Sequence, residues 1–82
     1  MRLDKYLKLS RLIKRRTLAN EACDRGLVSV NGKVQRASYD VKIGDKLTLC
    51  FGEHSVTVEV LEIRESVTAS DAPMLYREIS RT

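Results

Sequence analysis

Residues Lys14 to Val34, KRRTLANEACDRGLVSVNGKV, decide the fold, because the hydrophobic period changes inside them. Leu18 and Ala22 stand four residues apart, as do Ala19 and Cys23, the spacing of neighbours on one helix face. The segment from about Arg15 to Arg25 therefore reads as a helix, and Gly26 offers the left-handed residue that commonly closes one. Small Ala and Cys side chains allow a second helix to approach closely. Beyond Gly26 the period drops to two: Val28, Val30 and Val34 flank Asn31-Gly32, the dipeptide that favours a two-residue hairpin with positive φ at both turn positions. Arg15 and Arg16 begin the helix, at the end where its dipole disfavours cations by a few tenths of a kcal/mol unless an anion sits nearby.

Working outward toward the N-terminus, Leu3, Tyr6 and Leu7 recur at helical spacing, so a first helix is expected over Arg2 to Leu9, with Arg2, Lys5 and Lys8 off its apolar face. Leu12 and Ile13 point elsewhere on that wheel, which places a turn over Ser10 to Lys14. Toward the C-terminus, residues 35 to 40 look irregular and Gly44-Asp45 marks a turn. Leu47, Leu49 and Phe51 then alternate with polar neighbours, Gly52 to His54 reverses the chain, and Val56, Val58 and Val60 alternate again, forming a second hairpin. After Arg64 the pattern dissolves. Ser70 is a candidate cap for a short helical turn that tolerates Pro73 and returns Met74, Leu75 and Tyr76 to the core, and Glu78 to Thr82 are expected to fray. The sum is an α+β domain over residues 1–82: two N-terminal helices on a small antiparallel or mixed sheet, with room for a short C-terminal helix.

A chain of 82 residues supports one small core and leaves no room for a separate catalytic domain. Its charge is divided unevenly. Residues 1–36 hold ten Lys or Arg against three acids, a balance of +7, whereas residues 37–82 hold five against eight, a balance of −3. That asymmetry concentrates positive potential at one end of the molecule, where it attracts a polyanion. No apolar run reaches the ~18 residues of a membrane span, and basic residues interrupt the N-terminus where a signal peptide would be apolar, so a cytoplasmic protein is expected. In that compartment Cys23 and Cys50 are expected to stay reduced as small core residues.

Enzyme chemistry finds little support. The one histidine, His54, falls in a hairpin loop, where a single loop tip cannot build a nucleophile, base and oxyanion site. Cys23, Cys50 and His54 lack the paired spacing and the fourth ligand of a closed zinc site. No glycine-rich phosphate loop of either common type is present, so no cofactor or small-molecule substrate is expected. What remains is the basic cluster: Arg2, Lys5, Lys8, Arg11, Lys14, Arg15 and Arg16, with Asp4 the single acid among them. A merely solvated helix face would mix both signs in i,i+4 pairs, which this segment barely does. Nucleic acid is the partner such a surface fits, with binding that weakens steeply as salt rises. Glu21 and Asp24 on the polar side of the second helix argue against reading bases in a duplex, and one Phe with three Tyr gives few stacking platforms for single strands. Folded RNA, recognised by backbone shape, fits best.

The opening stretch MRLDKYLKLSRLIKRRTLANEACDRGLVSVNGKV resembles the S4 RNA-binding domain. The likeness covers Arg2 to about Leu49 and rests on Arg2-Leu3-Asp4, on Arg16 with Ala19, on Gly26 to Gly32, and on Gly44-Asp45. Among S4 proteins the chain is most similar to the solitary-domain, RqcP-type factors of bacterial ribosome-associated quality control. A sister family, the fifteen-kilodalton heat-shock proteins, shares the opening and carries a long basic C-terminal extension; the end at Thr82 favours the first family.

The resemblance implies a non-enzymatic, ribosome-associated protein that binds large subunits obstructed by peptidyl-tRNA. It would contact 23S ribosomal RNA and the P-site tRNA while an alanine-tailing factor extends the stalled chain. Separately from the resemblance, a monomer is expected. By family match Arg2 and Arg16 are the leading contacts, whereas Lys5, Lys14 and Arg15 are supporting candidates from charge alone. Asp4 is either a first-turn acid or an orienting partner for Arg2 or Arg16. Asn31 and Gly32 are expected to serve the turn rather than the ligand, with the hairpin folding beside Arg15 and Arg16 to complete the RNA-facing corner. The rival is a protein-binding adaptor recruited through the hairpin edge or the acidic half, whose association would survive nuclease.

Overall fold

The computed structural model describes every residue from Met1 to Thr82. Helix α1 spans Leu3–Leu9, α2 Arg16–Asp24, and five strands follow: β1 Val28–Val30, β2 Lys33–Val34, β3 Lys46–Phe51, β4 His54–Val60 and β5 Tyr76–Arg81. The strands form one sheet in the order β2-β1-β3-β4-β5, and every neighbouring pair is antiparallel rather than mixed. Alternation decides which face is dry. Val28, Val30, Leu47, Leu49, Val56, Val58 and Val60 all turn to one side, where Leu3, Tyr6 and Leu7 of α1, Ala19 and Cys23 of α2, and Ile13, Ala37, Val41 and Leu75 complete a cluster of 16 buried residues. The opposite side carries Ser29, Thr48, Thr57 and Ser80 in register across four strands.

The punctuation expected from sequence is present in the backbone. Gly26 (φ +74°) closes α2, with the Gly26 N–H donating to the Cys23 carbonyl and the Leu27 N–H to that of Ala22, the two bonds of a Schellman motif. Asn31 (φ +52°) and Gly32 (φ +84°) form the hairpin turn. The Asn31 side chain is held as well: its Nδ2 donates to Asp45 Oδ1 at 3.1 Å and its Oδ1 accepts the Lys46 N–H at 3.0 Å, so the turn is bonded to the start of β3.

Helix α2 starts one residue later than expected, with Arg15 extended at its N-cap. Leu18 is exposed rather than paired with Ala22 in the core, because the α1 contact is made through Ala19 and Cys23 and Ala22 is only half-buried. Cys23 is buried as expected, but Cys50 lies exposed on the sheet's outer face, and the two thiols are free. Ser70 makes no cap. Asp71 occupies the N-cap of a four-residue 3-10 turn, Ala72–Leu75, while the Ser70 hydroxyl pairs with Thr68 at 3.2 Å.

The larger correction concerns the C-terminus. Residues 76–81 form an edge strand on β4 instead of fraying. β5 is nearly all exposed and so carries no apolar alternation to betray it. Its order comes from the backbone ladder, from Arg77 paired with Glu59 across the strands, and from Leu75, whose carbonyl accepts the buried Tyr6 hydroxyl at 2.7 Å. Burial pushes that hydroxyl's pKa upward, with the neighbouring Tyr76 adding to the effect, so the bond keeps its proton.

Candidate nucleic-acid interface

The N-terminus of α1 is where the basic face is assembled. A helix leaves its first amides without internal partners. Here the Leu3 N–H donates to the Tyr39 carbonyl at 2.8 Å and the Asp4 N–H to that of Ala37 at 3.2 Å. This capping explains the irregular segment 35–40: its carbonyls are turned toward α1 instead of a neighbouring strand. Arg36 and Tyr39 are thereby held beside Arg2, whose backbone bridges to Asp40.

Asp4, in the first turn, is the centre of the constellation. Its carboxylate is buried, with a side chain only 3% exposed, yet Arg2 and Arg16, which it pairs, remain 50% and 48% exposed. Arg2 donates from Nε at 3.2 Å and Nη2 at 3.3 Å, Arg16 from Nη2 at 3.5 Å, Asn20 from Nδ2 at 3.3 Å, and the Lys5 N–H at 2.8 Å. Burial pushes the carboxyl pKa upward, but the bonds from Arg2, Asn20 and Arg16 outweigh it and hold Asp4 below its ordinary value. The same contact raises Arg2, first through the hydrogen bond and then through the charge of Asp4. Both alternatives for Asp4 are thus realised together: it sits in a first turn and orients both arginines. Each guanidinium keeps donors free toward solvent, because Asp4 engages two of Arg2's and one or two of Arg16's five.

Lys14 and Arg15 are exposed at the approach to α2 and join no ion pair. No side chain caps α2, and Arg16, Thr17 and Asn20 surround its open first turn together with Asp4 and Glu21. Lys5 stands apart from this group: its Nζ lies 2.7 Å from Glu65 Oε2 in the segment that crosses α1. The hairpin contributes differently from expectation. The Asn31-Gly32 tip is turned to Asp45, and it is the end of β2 that reaches the site, where Val34, Gln35 and Arg36 line a groove of about 810 Å³ with Arg2 and Asn20. Neither periodicity nor motif spacing marks Arg36, Gln35 or Asn20 as site residues. The cue available was position: Arg36 follows the second valine strand directly, inside the +7 half.

The S4 domain profile matches residues 1–47, more than half the chain and the part that builds this face. The chain belongs to the S4 domain family. A relative from Halalkalibacterium halodurans, named RQC P-site tRNA stabilizing factor, is 54% identical over 76 residues, covering 93% of this chain and 86% of the relative. One of the same name from Streptococcus pneumoniae is 48% identical over 82 residues, covering 100% and 93%. The solved trimeric structure of Vibrio cholerae heat shock protein 15 superposes with a TM-score of 0.89 at 36% identity, covering 98% of this chain and 82% of that one. The S4 fold places α1, α2 and the first hairpin where the arginine pair requires them, and β4 and β5 lie beyond the matched segment.

Proposed function

We propose that this S4 protein is an RNA-binding component of bacterial ribosome-associated quality control, cytoplasmic and bound to the large ribosomal subunit. The observation that carries the reading is the arginine pair on Asp4: two half-exposed guanidiniums, fixed by one buried carboxylate, next to cations that no acid neutralises. Fixed planar forks suit phosphate oxygens on a folded RNA surface, where their spacing has to match. Membership of the S4 family and the names of its relatives support the P-site tRNA as one RNA; in this reading 23S ribosomal RNA is the other. In this reading Arg2 and Arg16 hold phosphates, Lys14 and Arg15 widen the contact, and Lys5 joins only by leaving Glu65. The protein is not an enzyme. It holds peptidyl-tRNA on an obstructed subunit while a separate factor adds the alanine tail.

Likeness to heat shock protein 15 favours a second reading, in which the same arginine pair serves recycling of large subunits without tailing. Sedimentation of lysate through a sucrose gradient tests both. Co-migration with large subunits and peptidyl-tRNA, lost in Arg16→Ala, is expected, together with loss of alanine tails when the gene is deleted. Co-migration with tails intact would favour recycling. Protein that stays at the top of the gradient, or whose association survives nuclease, would overturn the RNA reading.

A further inference from the structure

The groove beside Arg2 has a lining that phosphate recognition leaves unexplained. Its volume, about 810 Å³, lies in the range of pockets that take a small ligand. Arg2 and Arg36 line it, as a strand of phosphates would require, but the acid Asp24 lines the same space. A phosphate oxygen there would meet like charge. Asn20, Gln35, Ser38 and Tyr39 line it too, with Cys23, Val34 and Ala37, so the lining mixes polar and apolar side chains. The side chains of Asp24, Gln35 and Arg36 are bonded to no other side chain, so their polar atoms are available to a ligand. Tyr39 is held in place: its hydroxyl donates to Asp45 Oδ2 at 3.1 Å and its backbone N–H to the Arg36 carbonyl at 3.0 Å.

A nucleobase matches this lining better than a phosphate does. Its exocyclic amino group donates to a carboxylate, its edge presents the mixed donors and acceptors that amides pair with, and its π-face suits an aromatic ring or a guanidinium plane. We propose that the groove takes one unpaired RNA base, extruded beside the strand whose phosphates Arg2 and Arg36 hold, with Asp24 and Gln35 reading its edge. Asp24 only accepts hydrogen bonds, and uracil offers it a single N3–H flanked by two carbonyl oxygens that repel a carboxylate, so the groove favours bases that carry an amino group, cytosine, adenine or guanine, over uracil. This proposal rests on the RNA-binding reading and adds a sequence preference to it.

Fluorescence anisotropy with the full chain tests it, using RNA hairpins of one stem: fully paired, or with a single-nucleotide bulge of C, A, G or U. An amino-bearing bulge is expected to bind at least about fivefold tighter than either the paired hairpin or the uracil bulge. Asp24→Asn should collapse the preference over uracil, and Gln35→Ala should lower the advantage of the bulge over the paired stem. Equal binding to all hairpins, weakened by Arg16→Ala, would overturn the base groove and leave the RNA reading standing. A preference unchanged in both groove variants would also overturn it, by assigning the discrimination elsewhere. No binding to any hairpin would overturn both.

Discussion

Replacing Asp4 by Asn keeps the shape of the side chain and removes the charge that Arg2 and Arg16 share. Two consequences can be worked out separately. For folding, each ion pair involves a half-exposed arginine, so each contributes roughly 0.2–1 kcal/mol. The substitution also turns one acceptor oxygen into a donor among the donors of Arg2, Arg16, Asn20 and the Lys5 N–H, a buried mismatch of about 1–3 kcal/mol. A loss of about 2 kcal/mol lowers Tm by roughly 8–16 °C for a domain of this size. For RNA binding the two effects oppose each other. Removing a negative charge about 8 Å from a phosphate gains only about 0.5 kcal/mol in water, less after salt screening. Two freed arginines must then be ordered on binding, at roughly 0.5–1.5 kcal/mol each. Ordering wins, so affinity should fall by about 1–2 kcal/mol, roughly five- to thirtyfold, while the salt dependence stays the same because both cations remain. Calorimetric melting and a salt titration of ribosome or RNA binding measure both quantities. If Asp4→Asn binds as tightly as the unmutated chain, the arginines do not depend on their buried carboxylate and the positioning argument fails.

Other outcomes follow from the same structure. Arg2→Ala and Arg16→Ala should each weaken RNA binding and reduce the slope of log K against log salt by about 1, with melting shifted by less than about 1 kcal/mol because the lost pairs are half-exposed; a variant that unfolds would make its arginine structural. Asp4 sits below its ordinary value of 3.8, so its contribution to stability is present above that pH and is lost as pH falls through the lower folded value; acid melting curves of the unmutated chain should therefore steepen below pH ~4, more than those of Asp4→Asn. Gly32→Ala places a Cβ at φ +84° with nothing within 4 Å, so only backbone strain is added and a loss of about 1–2 kcal/mol in denaturant melts is expected. Burial, helped by the charges of Asp4 and Asp24, pushes the Cys23 thiol to about 11; Cys50 should therefore be alkylated rapidly at pH 8 and Cys23 only on unfolding, as mass spectrometry would reveal.

How much of this was legible in the sequence depended on whether a side-chain period or a backbone contact made each element. Both helices, the Asn31-Gly32 turn and strands β1, β3 and β4 carry apolar periodicity or turn chemistry in their own residues, and each is present, α2 one residue later than its spacing predicts and packed through Ala19 and Cys23. β5 and the segment 35–40 do not. Tyr76–Arg81 owes its strand to an open edge on β4, and 37–39 owes its path to the bare amides of α1, both partners remote in sequence. The site divides in the same way. Arg2 and Arg16 were legible from charge and family likeness, but their meeting on Asp4 requires α2 to return across the start of α1. Asn20, the third side-chain donor to that carboxylate, gave no signal of its own. Lys5 looked equivalent to the other cations until the fold brought Glu65 against it.

The pairing of charges explains why an acidic C-terminal half leaves the basic face intact. Glu59 is bound by Arg77, Glu62 and Asp71 by Arg64, Glu65 by Lys5, Glu78 by Arg81 and Asp40 by the N-terminal ammonium, so most acids of that half are neutralised. Across the chain, Glu21, Asp24, Asp45 and Glu53 are the acids with no cation within 4.0 Å, whereas only Arg2, Lys5, Arg16, Arg64, Arg77 and Arg81 among the fifteen Lys and Arg are paired. The unpaired charge is therefore strongly positive, and Lys8 in the last turn of α1 and Arg11, Lys14 and Arg15 between α1 and α2 are four of its members. Surface pairs of this kind add little to stability. Their larger effect here is on the field: by tying up the acids of β4 and β5 among neighbours, they leave the unpaired charge of the molecule positive, even with Glu21 and Asp24 unpaired beside the arginine pair. A polyanion is drawn to that end, and there it meets guanidiniums already fixed in place by Asp4.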